Sequence, residues 1–162
     1  MPAPGLVIVV CTANICRSPM GAKLLQHALA AEPEPLRSLR VVSAGIAAAR
    51  GHAATDNSVA ALRKVGINLG AHGSQPLTQE MIDQAVAVFC MTDGHRISIE
   101  TSFARPPKRL HLFREFLGTE HDPEIPDPYG GDFREYEACR DSMVEAVPSL
   151  VRFLRSVVTP AG

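Results

Sequence analysis

Neither sign of charge predominates in this chain: 16 Lys and Arg stand against 17 Asp and Glu over 162 residues, for a formal net charge of -1. A near-neutral chain projects no global field, which excludes recruitment of nucleic acid or of an anionic membrane by bulk charge. Any anion it binds must be held by local groups. Long apolar runs are also missing. The N-terminal run "LVIVV" (6–10) is short, follows no basic segment and leads directly into a thiol, so neither a secretory leader nor a membrane span is expected. Cysteine is scarce, with Cys11, Cys16, Cys90 and Cys139 alone. A domain of this length buries roughly two-thirds of the surface its unfolded form exposes, so it needs no disulfide staples, and a reducing cytoplasmic setting is expected. The interval from Cys11 to Cys16 is not the CxxC of zinc sites. Internal repeats, low-complexity tracts and linkers are absent, which leaves one domain spanning 1–162.

What the chain does have is an α/β rhythm. Apolar, β-rich runs recur as "LVIVV" (6–10), "RVVSA" (40–44), "AVAVF" (85–89) and "RLHLF" (109–113), with helix-compatible stretches between them. Near-continuous apolar runs suit strands covered on both faces, so the expected fold is a small parallel sheet between two layers of helices, joined by right-handed crossovers. Ser18 reads as a helix cap with Pro19 in the first position, and Ala22, Leu24, Leu25, Ala28 and Leu29 follow at helical spacing until Pro33. Further helices are predicted over 56–67, ended by Gly66, and over 78–85, opened by Thr78. The last is predicted over 133–158, with Pro148 kinking or breaking it. Glycine and proline gather at 118–131, a loop long enough to suggest function.

The segment "VCTANICRSPM" (10–20) joins a buried strand to a helix and carries more reactive chemistry than such a turn requires. In an open parallel sheet, ligands bind beyond the carboxyl ends of the strands, and a loop closing into a helix aims several backbone N–H groups at one point. Arg17 adds a planar fork that takes two oxygens of a phosphate at once. Cys11 at the base of that cradle is placed as a thiolate nucleophile toward phosphorus, which yields a phosphocysteine. Expelling an alkoxide or phenolate then calls for an acid from another segment, and the 118–131 loop offers Asp122 and Asp127, each before a proline. Taken alone, Cys11 reads first as a small buried hydrophobe, since free cysteine is usually packing, and each Asp-Pro pair as a turn former.

These residues resemble one family. "CTANICRSP" closely matches the phosphate loop of low-molecular-weight protein-tyrosine phosphatases, and "DPYGG" (127–131) matches their general-acid loop. The likeness continues through "SAG" (43–45), "GINLGAH" (66–72) and "CMT" (90–92). The resemblance implies a four-stranded sheet in the order 2-1-3-4. It makes Cys11 the nucleophile, Arg17 the phosphate ligand, and Asp127 the acid and then the base that activates water. Thr12, Ala13, Asn14, Ile15, Cys16 and Ser18 would form the phosphate loop, with Asn14, Ser18, Ser43 and His72 holding its shape and Ser18 also supporting the leaving thiolate. Ile15 and Tyr129 would line the substrate pocket. The implied partner is a phosphorylated protein, acted on by a monomer or weak homo-oligomer without metal or cofactor.

Several positions depart from the pattern. Ala13 stands where most relatives have Gly, and a positive φ there would cost on the order of 1 kcal/mol. The segment after Ser43 lacks the aromatic that many tyrosine-selective relatives set across from Tyr129. Bacterial members of the family include protein-arginine phosphatases, which carry Thr at the position of Ile15; Ile15 ranks phosphotyrosine first and phosphoarginine second. A non-catalytic phosphate or phosphoprotein sensor follows if Ala13 spoils the cradle. Thioredoxin-coupled arsenate reductases share the loop, but Ile97 occupies their second relay position. Cys16 reads either as loop packing or as a redox partner of Cys11, and Cys90 and Cys139 read as core.

Overall fold

The computed structural model describes residues 5–159. Four parallel strands, β1 (Leu6–Cys11), β2 (Arg40–Gly45), β3 (Ala85–Cys90) and β4 (Leu110–Leu112), lie in the order β2-β1-β3-β4, as the resemblance implied. Between them run α1 (Arg17–Ala30), α2 (Asp56–Arg63), α3 (Gln79–Gln84) and α4 (Asp93–Ser102), and α5 (Phe133–Val158) closes the chain. The central strand β1 is buried along its whole length, which explains its unbroken apolar run.

Alternation along the strands divides the core into two layers. Val7, Val9, Ala87 and Phe89 face α1, α2 and α5, where Leu25, Leu62, Met143 and Leu150 are fully buried. Ile8, Val10, Val88 and Cys90 face the other way, against Ile82 of α3 and Ile99 of α4. The sheet thus has helices on both faces. Its carboxyl edge is fixed by the pairing of Cys11 with Gly45 on one side and Val10 with Cys90 on the other, so three loops converge there.

Local details differ from the sequence reading. Helix α1 starts at Arg17 with Cys16 as its cap residue, and no side chain caps it. The Ser18 hydroxyl is engaged elsewhere, and Pro19 still fits because a first-turn residue needs no N–H partner. Helix α2 ends at Arg63, and the chain leaves it through a turn to Gly66 at φ +80°. Thr78 accepts a hydrogen bond from the Met81 amide, the cap expected of it. Hydrogen bonding in α5 continues past Pro148, so no break occurs there. Helix α4 was not foreseen: it buries only His95 and Ile99, too few apolar positions to show a period, although Thr92 caps it through the His95 amide.

Candidate active site

Residues 12–16 form the loop from β1 to α1 at the carboxyl edge of the sheet. Its shape depends on Asn14, which is fully buried and is the one non-glycine residue with positive φ (61°) among those described. Asparagine tolerates this left-handed conformation better than most residues. Both polar atoms of its side chain are engaged: Oδ1 accepts from the Gln75 amide at 3.0 Å, and Nδ2 donates to Ser18 Oγ at 2.7 Å and Ser43 Oγ at 2.9 Å. His72 Nε2 donates to the Asn14 carbonyl at 2.7 Å. Ala13 lies outside the positive-φ region, so the substitution for glycine carries no backbone penalty. The conformational demand falls on the next residue.

Because Asn14 donates to Ser18 Oγ, the Ser18 proton must go elsewhere. Cys11 Sγ is 3.0 Å away, against 3.5 Å for the Ala44 carbonyl. The Ser18 amide also donates to Sγ, at 3.4 Å. The thiol sulfur thus sits under two donors held by a relay that runs from Gln75 through Asn14. Gly45 lets the end of β2 lie against the loop backbone, since a methyl group there would run into the Thr12 carbonyl and Ala48.

Arg17 is 4% exposed. One terminal nitrogen donates to the Ile125 carbonyl at 2.8 Å and the other lies 3.7 Å from Asp127 Oδ2. Its Nε is buried without a hydrogen-bond partner, a donor that an anion beside Cys11 would satisfy. Ile125 is itself buried and anchored through its amide to the Met91 carbonyl, so the loop that carries Asp127 is tied to the end of β3. The other Asp127 oxygen accepts from the Tyr129 amide at 3.0 Å.

A cavity of about 310 Å³ is lined by Cys11, Thr12, Ala13, Ile15, Cys16, Arg17, Asp127 and Tyr129. The expected nucleophile, anion ligand and acid therefore share one space, with Tyr129 at its mouth, 68% exposed. Asn14, Ser18, Ser43 and His72 lie behind the loop rather than in the cavity. Cys16 Sγ lies 3.4 Å from the Tyr136 hydroxyl and 3.7 Å from Thr55 Oγ1. Burial pushes its thiol up, partly offset by those hydrogen bonds. Burial likewise pushes Cys90 and Cys139 up to about 12, as core thiols. Among the described residues, no three His, Cys, Asp or Glu side chains converge as a metal-ligand set.

Sequence reasoning missed Gln75, Ile125 and His95. The first two contribute backbone atoms, for which side-chain patterns give no signal. His95 belongs to no motif in the sequence; it is buried with Nε2 2.9 Å from Thr12 Oγ1. Burial, with the positive charge of Arg17, pushes its pKa down to about 4.

Comparison with known proteins agrees with this geometry. The family model described as low molecular weight phosphotyrosine protein phosphatase matches residues 6–159. A protein-arginine-phosphatase of Geobacillus stearothermophilus is 36% identical over 94% of this chain and 98% of its own. A probable low molecular weight protein-tyrosine-phosphatase of Ralstonia nicotianae is 30% identical over 93% and 97%. The crystal structure of a low molecular weight protein tyrosine phosphatase from T. tengcongensis superposes with a TM-score of 0.83 at 26% identity, covering 92% of this chain and 99% of the other.

Proposed function

The chain belongs to the low molecular weight phosphotyrosine protein phosphatase family, and from that premise we propose that it hydrolyses phosphotyrosine in proteins through a phosphocysteine on Cys11. The observation that carries the reading is the convergence of Cys11, Arg17 and Asp127 on one cavity, from segments more than a hundred residues apart in sequence. The phosphoryl group enters above the sulfur, where the Arg17 guanidinium and the loop amides take its oxygens. The Cys11 sulfur forms a bond to phosphorus as the phosphorus–oxygen bond to the leaving group breaks, and Asp127 gives its proton to that oxygen. In the second step Asp127 takes a proton from water as the water oxygen bonds to phosphorus. The sulfur–phosphorus bond breaks and orthophosphate departs. Charge returning to the sulfur is met by the Ser18 hydroxyl at 3.0 Å and amide at 3.4 Å.

Tyr129 gives an aromatic leaving group a ring to pack on, and Ile15 fills the wall beside the phosphate position. Phosphoarginine is the second reading, favoured by the name of the Geobacillus relative. The sensor alternative loses its premise, because Ala13 needs no positive φ. Phosphorylated proteins as substrates, a cytoplasmic location and a monomeric or weakly associating state complete the proposal; no helix among the described residues is long and apolar enough to cross a membrane.

The test is a comparison of wild type and Asp127→Asn on aryl and alkyl phosphates of graded leaving-group acidity, alongside matched phosphotyrosine and phosphoarginine peptides. The variant should lose most on the poorest leaving groups, and wild type should turn over phosphotyrosine faster. An equal loss on every ester would remove Asp127 from the acid role. Faster phosphoarginine turnover would promote the second reading.

A further inference from the structure

His95, on α4, has no place in the mechanism above, and neither does the hydroxyl of Thr12, although Thr12 lines the cavity. The two are joined at 2.9 Å through His95 Nε2. The other ring nitrogen faces the Met91 amide, with an N-to-N separation of 3.4 Å. An amide N–H can only donate, so Nδ1 must be the lone-pair nitrogen. In a neutral imidazole the proton then resides on Nε2. Nε2 therefore donates to Thr12 Oγ1, one lone pair of the hydroxyl is occupied, and the Thr12 proton must turn away from the ring. Thr12 is exposed and makes no other side-chain hydrogen bond, so its proton is free to point into the space above Cys11 and Arg17.

We propose that Thr12 supplies an additional hydrogen-bond donor to the phosphoryl group during transfer, and that His95 is the positioning residue that sets the direction of that hydroxyl. This rests on the phosphatase reading of the same cavity. The arrangement is anchored independently of the loop. His95 is held by the Met91 amide, and its own amide donates to the Thr92 cap at 3.2 Å, so the ring position follows from the β3–α4 junction.

The experiment uses the two amide mimics of imidazole. His95→Gln places an N–H donor where Nε2 was, whereas His95→Asn offers an acceptor near the Nδ1 position and leaves Thr12 without its partner. Turnover of an aryl phosphate and inhibition by inorganic phosphate are measured for both, for Thr12→Val, for Thr12→Ser and for the His95→Asn/Thr12→Val pair, with thermal unfolding of each. Thr12→Val should lower kcat/KM about tenfold, while Thr12→Ser and His95→Gln stay within about threefold of wild type. His95→Asn should match Thr12→Val, and the pair should fall no further than Thr12→Val alone, because both remove the same interaction. Full additivity of the pair, or equal rates for Thr12→Val and Thr12→Ser, overturns the proposal. If both His95 variants unfold, the Thr12 comparison decides by itself. Lack of turnover by wild type would instead sink the underlying phosphatase reading.

Discussion

Replacing His95 should change how the stability of this protein depends on pH, and the size of the change follows from its surroundings. The imidazole is 5% exposed, faces the Met91 amide through Nδ1 and lies within the field of Arg17, with Asp127 and Glu124 acting in the opposite direction. Burial comes first among the causes, and the pKa falls to about 4 from an ordinary 6.5. Between those values the unfolded chain binds a proton that the folded chain excludes. Stability is therefore complete above about pH 6.5 and is lost as pH falls toward 4. For this one group the linkage relation gives a loss of about 2 kcal/mol at pH 5 and about 3 kcal/mol at pH 4, relative to pH 8. Urea unfolding of wild type and His95→Gln at half-unit steps from pH 8 to 4 isolates it, because carboxylates titrate alike in both. The wild-type curve should fall more steeply by about 2 kcal/mol between pH 8 and 5. Parallel curves would mean that His95 is not held neutral by its site.

Asn14→Ala removes two donated hydrogen bonds and one accepted from a fully buried position, and leaves alanine at φ 61°. A loss of about 3 kcal/mol or more is expected in denaturant unfolding, together with collapse of turnover. A loss under about 1 kcal/mol would show that the relay is not what shapes the loop. Mild peroxide should link Cys11 to Cys16, with activity restored by a thiol, and peptide mapping of the inactivated enzyme should find that disulfide. Inactivated enzyme with no Cys11–Cys16 disulfide would exclude Cys16 as the partner.

Legibility in the sequence followed the kind of interaction. The strands and helix layers were readable because β1 and β3 are near-continuous apolar runs and α5 is apolar at helical spacing, and the strand order because the phosphate-loop and acid-loop motifs matched a known family. The cavity-lining residues were readable for the same reason, since their side-chain types define the chemistry. Ser18 was misread as a cap, because Ser-Pro at a helix start is the usual cap signal and nothing local shows that Asn14 and Cys11 claim its hydroxyl. Concern over Ala13 was misplaced by one residue, since the left-handed conformation belongs to Asn14, whose demand arises from contacts with Ser43 and Gln75 far along the chain. Helix α4 and His95 stayed hidden because the helix is polar outside two buried positions. The Ile125 carbonyl that holds Arg17 is a backbone atom, invisible to any side-chain pattern.

The central claim is covalent: phosphate passes through the sulfur of Cys11. Rapid acid quench of an aryl phosphate reaction with an Asp127→Ala variant, in which hydrolysis of the intermediate is slowed, followed by mass spectrometry of the proteolysed enzyme, tests it directly. One phosphoryl group should be found on the Cys11 sulfur of the peptide containing Cys11, formed in a burst together with phenol. Continued turnover in Cys11→Ser, or wild-type hydrolysis with no phosphorylated Cys11 peptide at any time, would contradict the account.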